Sequence, residues 1–373
     1  MKKIFTVLVL LLAVTAMFFV VGCKKKEEGT IKIAVVGPHT GDLASYGIPT
    51  IKAAELVVAD WNAKGGVLGR QIELVIEDDV CKPEIAANSA AKVVGEGVVA
   101  VIGHICSGAT KSAMGVYNEA NIPAISPSAT NPALTQSGDY PNFFRTIAPD
   151  DAQAATDAEF IVKTLKLKKV AVLHDKQDYG KGFADFTVAA LEALGVEIVL
   201  YEGITASAVD YSAILTKIGN TDAEGIVYGG YHPEASKLVQ QMSQMGIVIP
   251  FISDDGVKDN TFIQVAGEYA EGVYASGPTD TSDNPMSQKA TADHKSEYGE
   301  DPGAFFINGY AATIALLNAI EKADSTDGLA IMEALRSNYV DTPLGSISFD
   351  KKGDAIGVGF AVYQVQNGVY VEL

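Results

Sequence analysis

Two short stretches place hydroxyl groups where a small anion could be held. They are Gly103-His104-Ile105-Cys106-Ser107-Gly108 and Ser126-Pro127-Ser128-Ala129-Thr130. Each follows an apolar run, 98–102 and 122–125, of the kind that forms a short buried strand. Ser107 stands at the expected N-cap of a helix over 109–120, in which Met114, Val116, Tyr117 and Ala120 recur with helical spacing. Hydroxyls beside the free N–H groups of a helix N-terminus suit a carboxylate or a phosphate. Ser128 and Thr130 add hydroxyls from the second loop. Both loops leave the carboxyl ends of strands in a βαβ unit, where open α/β sheets bind ligands. The chemistry implied is capture of a small anionic or zwitterionic ligand. The alternative is that these residues only cap helices.

Other chemistries find less support. The histidines are His39, His104, His174, His232 and His294, and none is paired at metal-ligand spacing, so neither a metal nor a cofactor is expected. Cys106 lies two residues from His104, but neighbours at that spacing on a turn can diverge, and no third orienting group is evident for a nucleophile. Gly95-Glu96-Gly97-Val98-Val99-Ala100 has dinucleotide-fingerprint spacing, yet it precedes a strand and opens no helix. No enzyme is expected.

The elements that must position these loops alternate regularly. Strands are expected at 31–36 and 72–77, with helices at 50–63 and 84–95 and a glycine-punctuated loop at 37–47 that contains Tyr46. Residues 145–149 suggest a crossover to a second α/β pattern. Its strands are expected at 169–174, 197–203, 225–229 and 250–253, and its helices at 150–165, 183–194, 211–219 and 235–245. Polar loops after strand ends carry Tyr179, Tyr231 and Asp255. A second crossover is expected at 274–280, then helices at 283–298, 304–322 and 329–336, the middle one opening on Phe305 and Phe306. Strands at 345–349 and 359–366 suggest a hairpin turned by 350–354. The alternation predicts an α/β protein of two similar doubly wound parallel-sheet domains with a ligand cleft between them.

The net charge of −18 leaves no basic stripe to replace counterions, which argues against nucleic acid as a partner. At the N-terminus, Met1-Lys2-Lys3 precedes an uncharged apolar run, then Gly22-Cys23 and Lys24-Lys25-Lys26-Glu27-Glu28. This is the pattern of an export signal. The small residue before Cys23 resembles the lipobox of bacterial lipoproteins, in which the cysteine carries the lipid. An uncleaved transmembrane anchor is the alternative. Either places the body outside the cytoplasm, with 1–22 as signal and 23–29 as lipidated cysteine and tether. The remaining cysteines, Cys81 and Cys106, each follow a strand, and an exported chain with two such residues invites a disulfide.

Several stretches together resemble the periplasmic leucine/isoleucine/valine-binding proteins of bacterial ABC transporters. They include Asn62-Ala-Lys-Gly-Gly66, Gly103-His-Ile-Cys-Ser107, His174-Asp-Lys-Gln-Asp-Tyr-Gly180, Tyr228-Gly-Gly-Tyr-His-Pro-Glu234 and Ala266-Gly-Glu-Tyr-Ala-Glu-Gly272. The resemblance runs from about Ile31 to the C-terminus. It implies three crossovers, the third near 357–361, and lobes of 30–147 plus 279–357 and 148–278 plus 358–373 that close like a hinge. It implies a Cys81–Cys106 disulfide. It implies that Ser107, Thr130 and groups around Ser128 hold a carboxylate and an ammonium, with Asp255 on the ammonium. Tyr46, Tyr179, Tyr231, Cys106 and Phe305 would line the cleft. Two departures stand near the ligand: Asp255 replaces the usual Glu, and Ile307 stands where a tryptophan is often found. The resemblance and the N-terminus together imply a monomeric, membrane-anchored lipoprotein that delivers an aliphatic amino acid, Leu, Ile or Val, to an ABC permease, the anchor being a departure from the soluble periplasmic members. The rival is a sensor for an amide or a similar small ligand.

Overall fold

A computed structural model describes residues 29–373. The signal and Cys23 expected from the sequence lie outside the described residues. Among the described residues, no helix is long and apolar enough to cross a membrane.

The chain first runs β1 (Ile31–Gly37), α1 (Ala44–Ala63), β2 (Ile72–Asp78), α2 (Pro83–Gly95), β3 (Ala100–Gly103), α3 (Ser107–Glu119), β4 (Ala124–Ser126), the single turn α4 (Ala133–Gln136) and β5 (Phe143–Arg145). It continues as α5 (Asp150–Phe160), β6 (Lys169–His174), α6 (Asp178–Ala193), β7 (Glu197–Gly203), α7 (Ser212–Gly219), β8 (Gly225–Gly229), α8 (His232–Gln244), β9 (Phe251–Ser253), α9 (Asn260–Ala266) and β10 (Tyr274–Pro278). It then forms α10 (Pro285–Tyr298), α11 (Phe306–Ala323), α12 (Gly328–Ser337), β11 (Val340–Thr342), β12 (Gly345–Phe349), β13 (Ala355–Ile356), β14 (Phe360–Gln366) and β15 (Val369–Glu372).

Two main sheets result. The first has the order β2-β1-β3-β4-β5 and is parallel throughout. Its central strands are apolar on both faces, as strands covered by helices on each side must be. Ile33, Val35 and Ile102 pack with Leu316, Ile320 and Leu335, so α11 and α12 belong to this lobe although they come late in the chain. The second sheet has the order β15-β14-β10-β9-β8-β6-β7. It is parallel from β7 to β10, but β14 and β15 add to its edge antiparallel. The chain passes between lobes at 146–149, 279–284 and 357–359.

The second sheet thus departs from the wholly parallel arrangement expected. The hairpin expected between 345–349 and 359–366 does not form either. β12 pairs with β11 and with the short β13, while β14 lies in the other lobe beside β10. The turn itself is where the sequence put it: the Asp350 carboxylate accepts from the N–H groups of Lys352, Gly353 and Asp354. It leads into two residues of strand before Gly357, at φ 97°, releases the chain.

Three helices begin three or more residues earlier than expected. α1 starts at Ala44, not at 50, because Pro49 is accommodated inside it. α6 starts at Asp178 and α8 at His232, where Pro233 occupies the first turn and its missing N–H costs nothing. Tyr46 and Tyr179 therefore stand in helical first turns and Tyr231 at a helix cap, not in loops.

Arg145 is the largest fully buried side chain. Its Nε donates to Asp354 at 2.5 Å, its Nη1 to the carbonyls of Ala129 and Asn131, and its Nη2 to Thr135. It joins the loop holding Thr130 to the segment before the last crossover. Removing one partner of a buried ion pair strands the other. Asp354→Ala is expected to lower unfolding free energy by roughly 2–3 kcal/mol, Asp354 being partly solvated. A urea titration checks this, and a loss below about 0.5 kcal/mol, the scale of an ordinary surface change, would remove Arg145 from this bracing role.

Candidate functional site

The carboxyl ends of β3 and β4 deliver the two hydroxyl-bearing loops. Cys106, not Ser107, occupies the cap position of α3, and no side chain closes its first turn. The N–H groups there remain open to an incoming acceptor. Ser107 Oγ accepts from the Asn131 N–H at 3.2 Å, which leaves its own proton to donate. Ser128 is already engaged: its hydroxyl donates to the Ile105 carbonyl at 2.9 Å and ties the two loops together. Ser126 does the same with the His104 carbonyl at 2.5 Å. Thr130 is fully buried, and its hydroxyl oxygen has no hydrogen-bond partner.

Cys81 and Cys106 form a disulfide, with their Cα atoms 5.6 Å apart. The thiol that a nucleophile would need is therefore absent. His104 instead holds the loop from behind. Its Nδ1 lies 2.6 Å from Asp79 and its Nε2 2.9 Å from the Tyr117 hydroxyl, all three buried. Asp79 also accepts from the Cys81 N–H at 2.7 Å.

The second lobe presents Tyr179, Tyr231, Asp255 and Gly256. Tyr179 donates to Asp255 at 2.6 Å and accepts from the Gly256 N–H at 3.1 Å. Its helix can approach this closely because two glycines meet: a Cβ on Gly180 would lie 2.4 Å from the Gly229 carbonyl oxygen. Tyr46, from the first lobe, donates to the Gly256 carbonyl at 2.5 Å and so spans the lobes. Its ring lies 6.0 Å from that of Tyr231 and 5.7 Å from that of Phe305, and Tyr179 lies 5.2 Å from Tyr231.

These groups enclose only about 20 Å³ of empty space between the lobes. Tyr46, Ser107, Ser128, Tyr179, Tyr231, Asp255 and Phe305 line it. Cys106 and Thr130 do not line it. Cys106 is turned into its disulfide, and Thr130 sits behind the loop surface at 0% exposure. Ile105 and Gly256 complete the wall and were not singled out from sequence. Neither carries a chemical signal; each is placed by a neighbour that does.

The electrostatics centre on acids. Asp255 is 2% exposed, and burial pushes its carboxyl up to about 6, tempered by hydrogen bonds from Tyr179 and Gln153. Behind it, Gln153 donates to Ser276 and Ser276 to Asp157, each at 2.9 Å. Asp150, at the start of α5, has neither carboxyl oxygen hydrogen-bonded. Burial pushes it up to about 8; Asp255 and Asp151 add to this, and Thr130 and Arg145 oppose it. Asp150 was also missed, because nothing local distinguishes an Asp at a helix start from an ordinary first-turn acid. The pocket thus has an open helix N-terminus and a hydroxyl on one side and the buried Asp255 carboxyl on the other. Such a site suits a molecule carrying both a negative and a positive group.

A family model described as periplasmic binding protein matches residues 30–369. An amino acid binding protein of Pseudomonas aeruginosa is 40% identical over 97% of this chain and 96% of its own length. A leucine-, isoleucine-, valine-, threonine- and alanine-binding protein of the same organism is 38% identical over 90% of both. Among solved structures, a leucine binding protein from Thermotoga maritima is 30% identical and superposes with a TM-score of 0.87, covering 92% of this chain and 98% of that one.

The raised acids give the empty protein a pH dependence with a definite sign. A carboxyl whose folded value exceeds its unfolded value supports folding at low pH, and that support is lost as pH rises through the folded value. For Asp255 and Asp150 the window runs from about 4 to about 8. The melting temperature of ligand-stripped protein is expected to fall across this range, and Asp150→Asn is expected to flatten the fall. Parallel profiles for both proteins in a calorimeter would show that Asp150 does not carry the effect.

Proposed function

The chain belongs to the periplasmic binding protein family, and from that premise we propose that it is an extracytoplasmic carrier of a branched-chain or similar aliphatic amino acid. The observation that carries this reading is the buried Asp255 facing Ser107 and the open first turn of α3 across a small aromatic-walled space. The ligand carboxylate takes the Ser107 hydroxyl and the free N–H groups of α3. The ammonium takes Asp255. Tyr46, Tyr231, Phe305 and Ile105 pack on the aliphatic side chain. The relatives named for Leu, Ile and Val support this ligand class.

Residues 30–147 plus 279–357 and 148–278 plus 358–373 act as the two lobes, and rotation about the three crossovers opens and closes them on the ligand. Tyr46, which donates across the lobes, is one of the bonds that opening breaks. In this reading 1–22 are removed on export and Cys23 carries a lipid. Residues 23–29 tether the body, a monomer, to the membrane beside the permease that receives its cargo.

A thermal-shift screen of refolded protein against the twenty amino acids tests the ligand. A ligand at a hundred times its dissociation constant adds about 2.7 kcal/mol of stability. Leu, Ile or Val are expected to raise the melting temperature, and no shift with any amino acid would sink the reading. Asp255→Ala leaves a buried ammonium unpaired, at a cost of roughly 3–5 kcal/mol. Its dissociation constant is expected to rise at least a hundredfold by calorimetric titration, and a tenfold rise or less would count against Asp255 as the ammonium partner. Cys23→Ser is expected to move the protein from the membrane to the soluble fraction, and an unchanged fractionation would exclude the lipid anchor.

A further inference from the structure

Asp255 and Phe305 have a second side. Beyond them lies a larger, partly open space of about 380 Å³, lined also by Lys258, Asp280, Tyr363 and Glu372. The two residues line both spaces, so they form the partition between them.

The partition and the far wall are built, not incidental. Phe305 caps α11 in the left-handed region, at φ 60° and ψ 5°, a conformation that strains a bulky side chain and persists only where the surroundings hold it. Lys258 crosses β10 at Gly277, where a Cβ would lie 2.1 Å from its Cδ, so the strand has room for this side chain only because residue 277 has none. Lys258 Nζ ends 3.8 Å above the Tyr363 ring and has no hydrogen bond or ion pair among the described residues. Its N–H donors remain unspent.

The charges around Lys258 select the occupant. Asp280, Glu372 and Asp255 all act on it and oppose the lowering that burial causes. Asp280 already accepts from the N–H and hydroxyl of Ser282. One Glu372 oxygen accepts from the Asp280 N–H at 3.0 Å and stands 2.8 Å from the Tyr363 hydroxyl. Three carboxylates against one ammonium leave the space net negative, so a further anion is repelled. A neutral group with an acceptor for Lys258 and N–H donors for the acids fits.

We propose that this space is a second chamber of the ligand site, and that it receives a carboxamide or ureido terminus on the side chain of an α-amino acid. The inference rests on the head-group assignment above and extends it to polar-tailed ligands such as glutamine and citrulline. The carbonyl oxygen accepts from Lys258, and the amide N–H groups donate toward Glu372 and Asp280.

Titration calorimetry of refolded wild-type protein with valine, glutamine, citrulline and glutamate tests it. Glutamine or citrulline is expected to bind, and glutamate at least tenfold more weakly than glutamine. Lys258→Met is expected to weaken citrulline and glutamine at least tenfold more than it changes valine, whose retained binding also shows that the variant folds. Gly277→Ala, which pushes the same lysine aside, is expected to reproduce that loss. Valine binding without glutamine or citrulline would overturn the second chamber and leave the head-group site standing. An equal loss for valine and citrulline, or tighter binding of glutamate than of glutamine, would also overturn it. Binding of none of the four would remove this inference together with the reading on which it rests.

Discussion

A carboxyl group closed between two lobes is a poor arrangement for a protein left alone. Asp255 keeps one strong partner, the Tyr179 hydroxyl, and burial raises its carboxyl despite the charge of Lys258. Desolvation disfavours its ionised form. A cationic group arriving from solution offsets that penalty. In the proposed carrier, closure and occupancy would then be one event energetically: the lobes would gain most by meeting when something positively charged lies between them. The tyrosines, the open turn of α3 and the tie between the two hydroxyl loops arrange the space around that need.

The support behind this centre is more rigid than the centre itself. Ser126 and Ser128 spend their hydroxyls on the neighbouring loop, and His104 spends both ring nitrogens on buried partners. The disulfide and Arg145 hold the same two loops from other directions. Ser107 and the helix N–H groups are left facing the space with capacity to spare. That division keeps the polar groups for a ligand few and fixed, which lowers the ordering cost of binding.

Much of this was legible from the chain alone, for one physical reason. Strands buried on both faces must be nearly all apolar, so 31–36, 98–102, 169–174 and 225–229 stand out against their polar loops. The groups after their carboxyl ends then fall together in one cleft. What the chain concealed was set by tertiary placement. β5 ends in Arg145, whose charge hides a buried strand because its partners lie on distant segments. Asp150, Gln153 and Asp157 read as an ordinary acidic helix start until the second lobe covers them. Pro233 looked like a break although it opens a helix, and the partner of β14 could not be found by looking along its own neighbourhood.

The order of strands in the second sheet carries a consequence for how the molecule comes into being. β14 and β15, drawn from the last residues of the chain, complete a sheet whose other members begin at Lys169, while α11, α12 and β12 complete a lobe begun at Ile31. Neither half can finish until nearly all of the polypeptide has been made. A chain synthesised from its N-terminus thus stays incompletely folded until late, since its long-range pairings must wait for their partners. In the exported carrier proposed above, that delay would keep the chain threadable during the interval in which it has to cross a membrane.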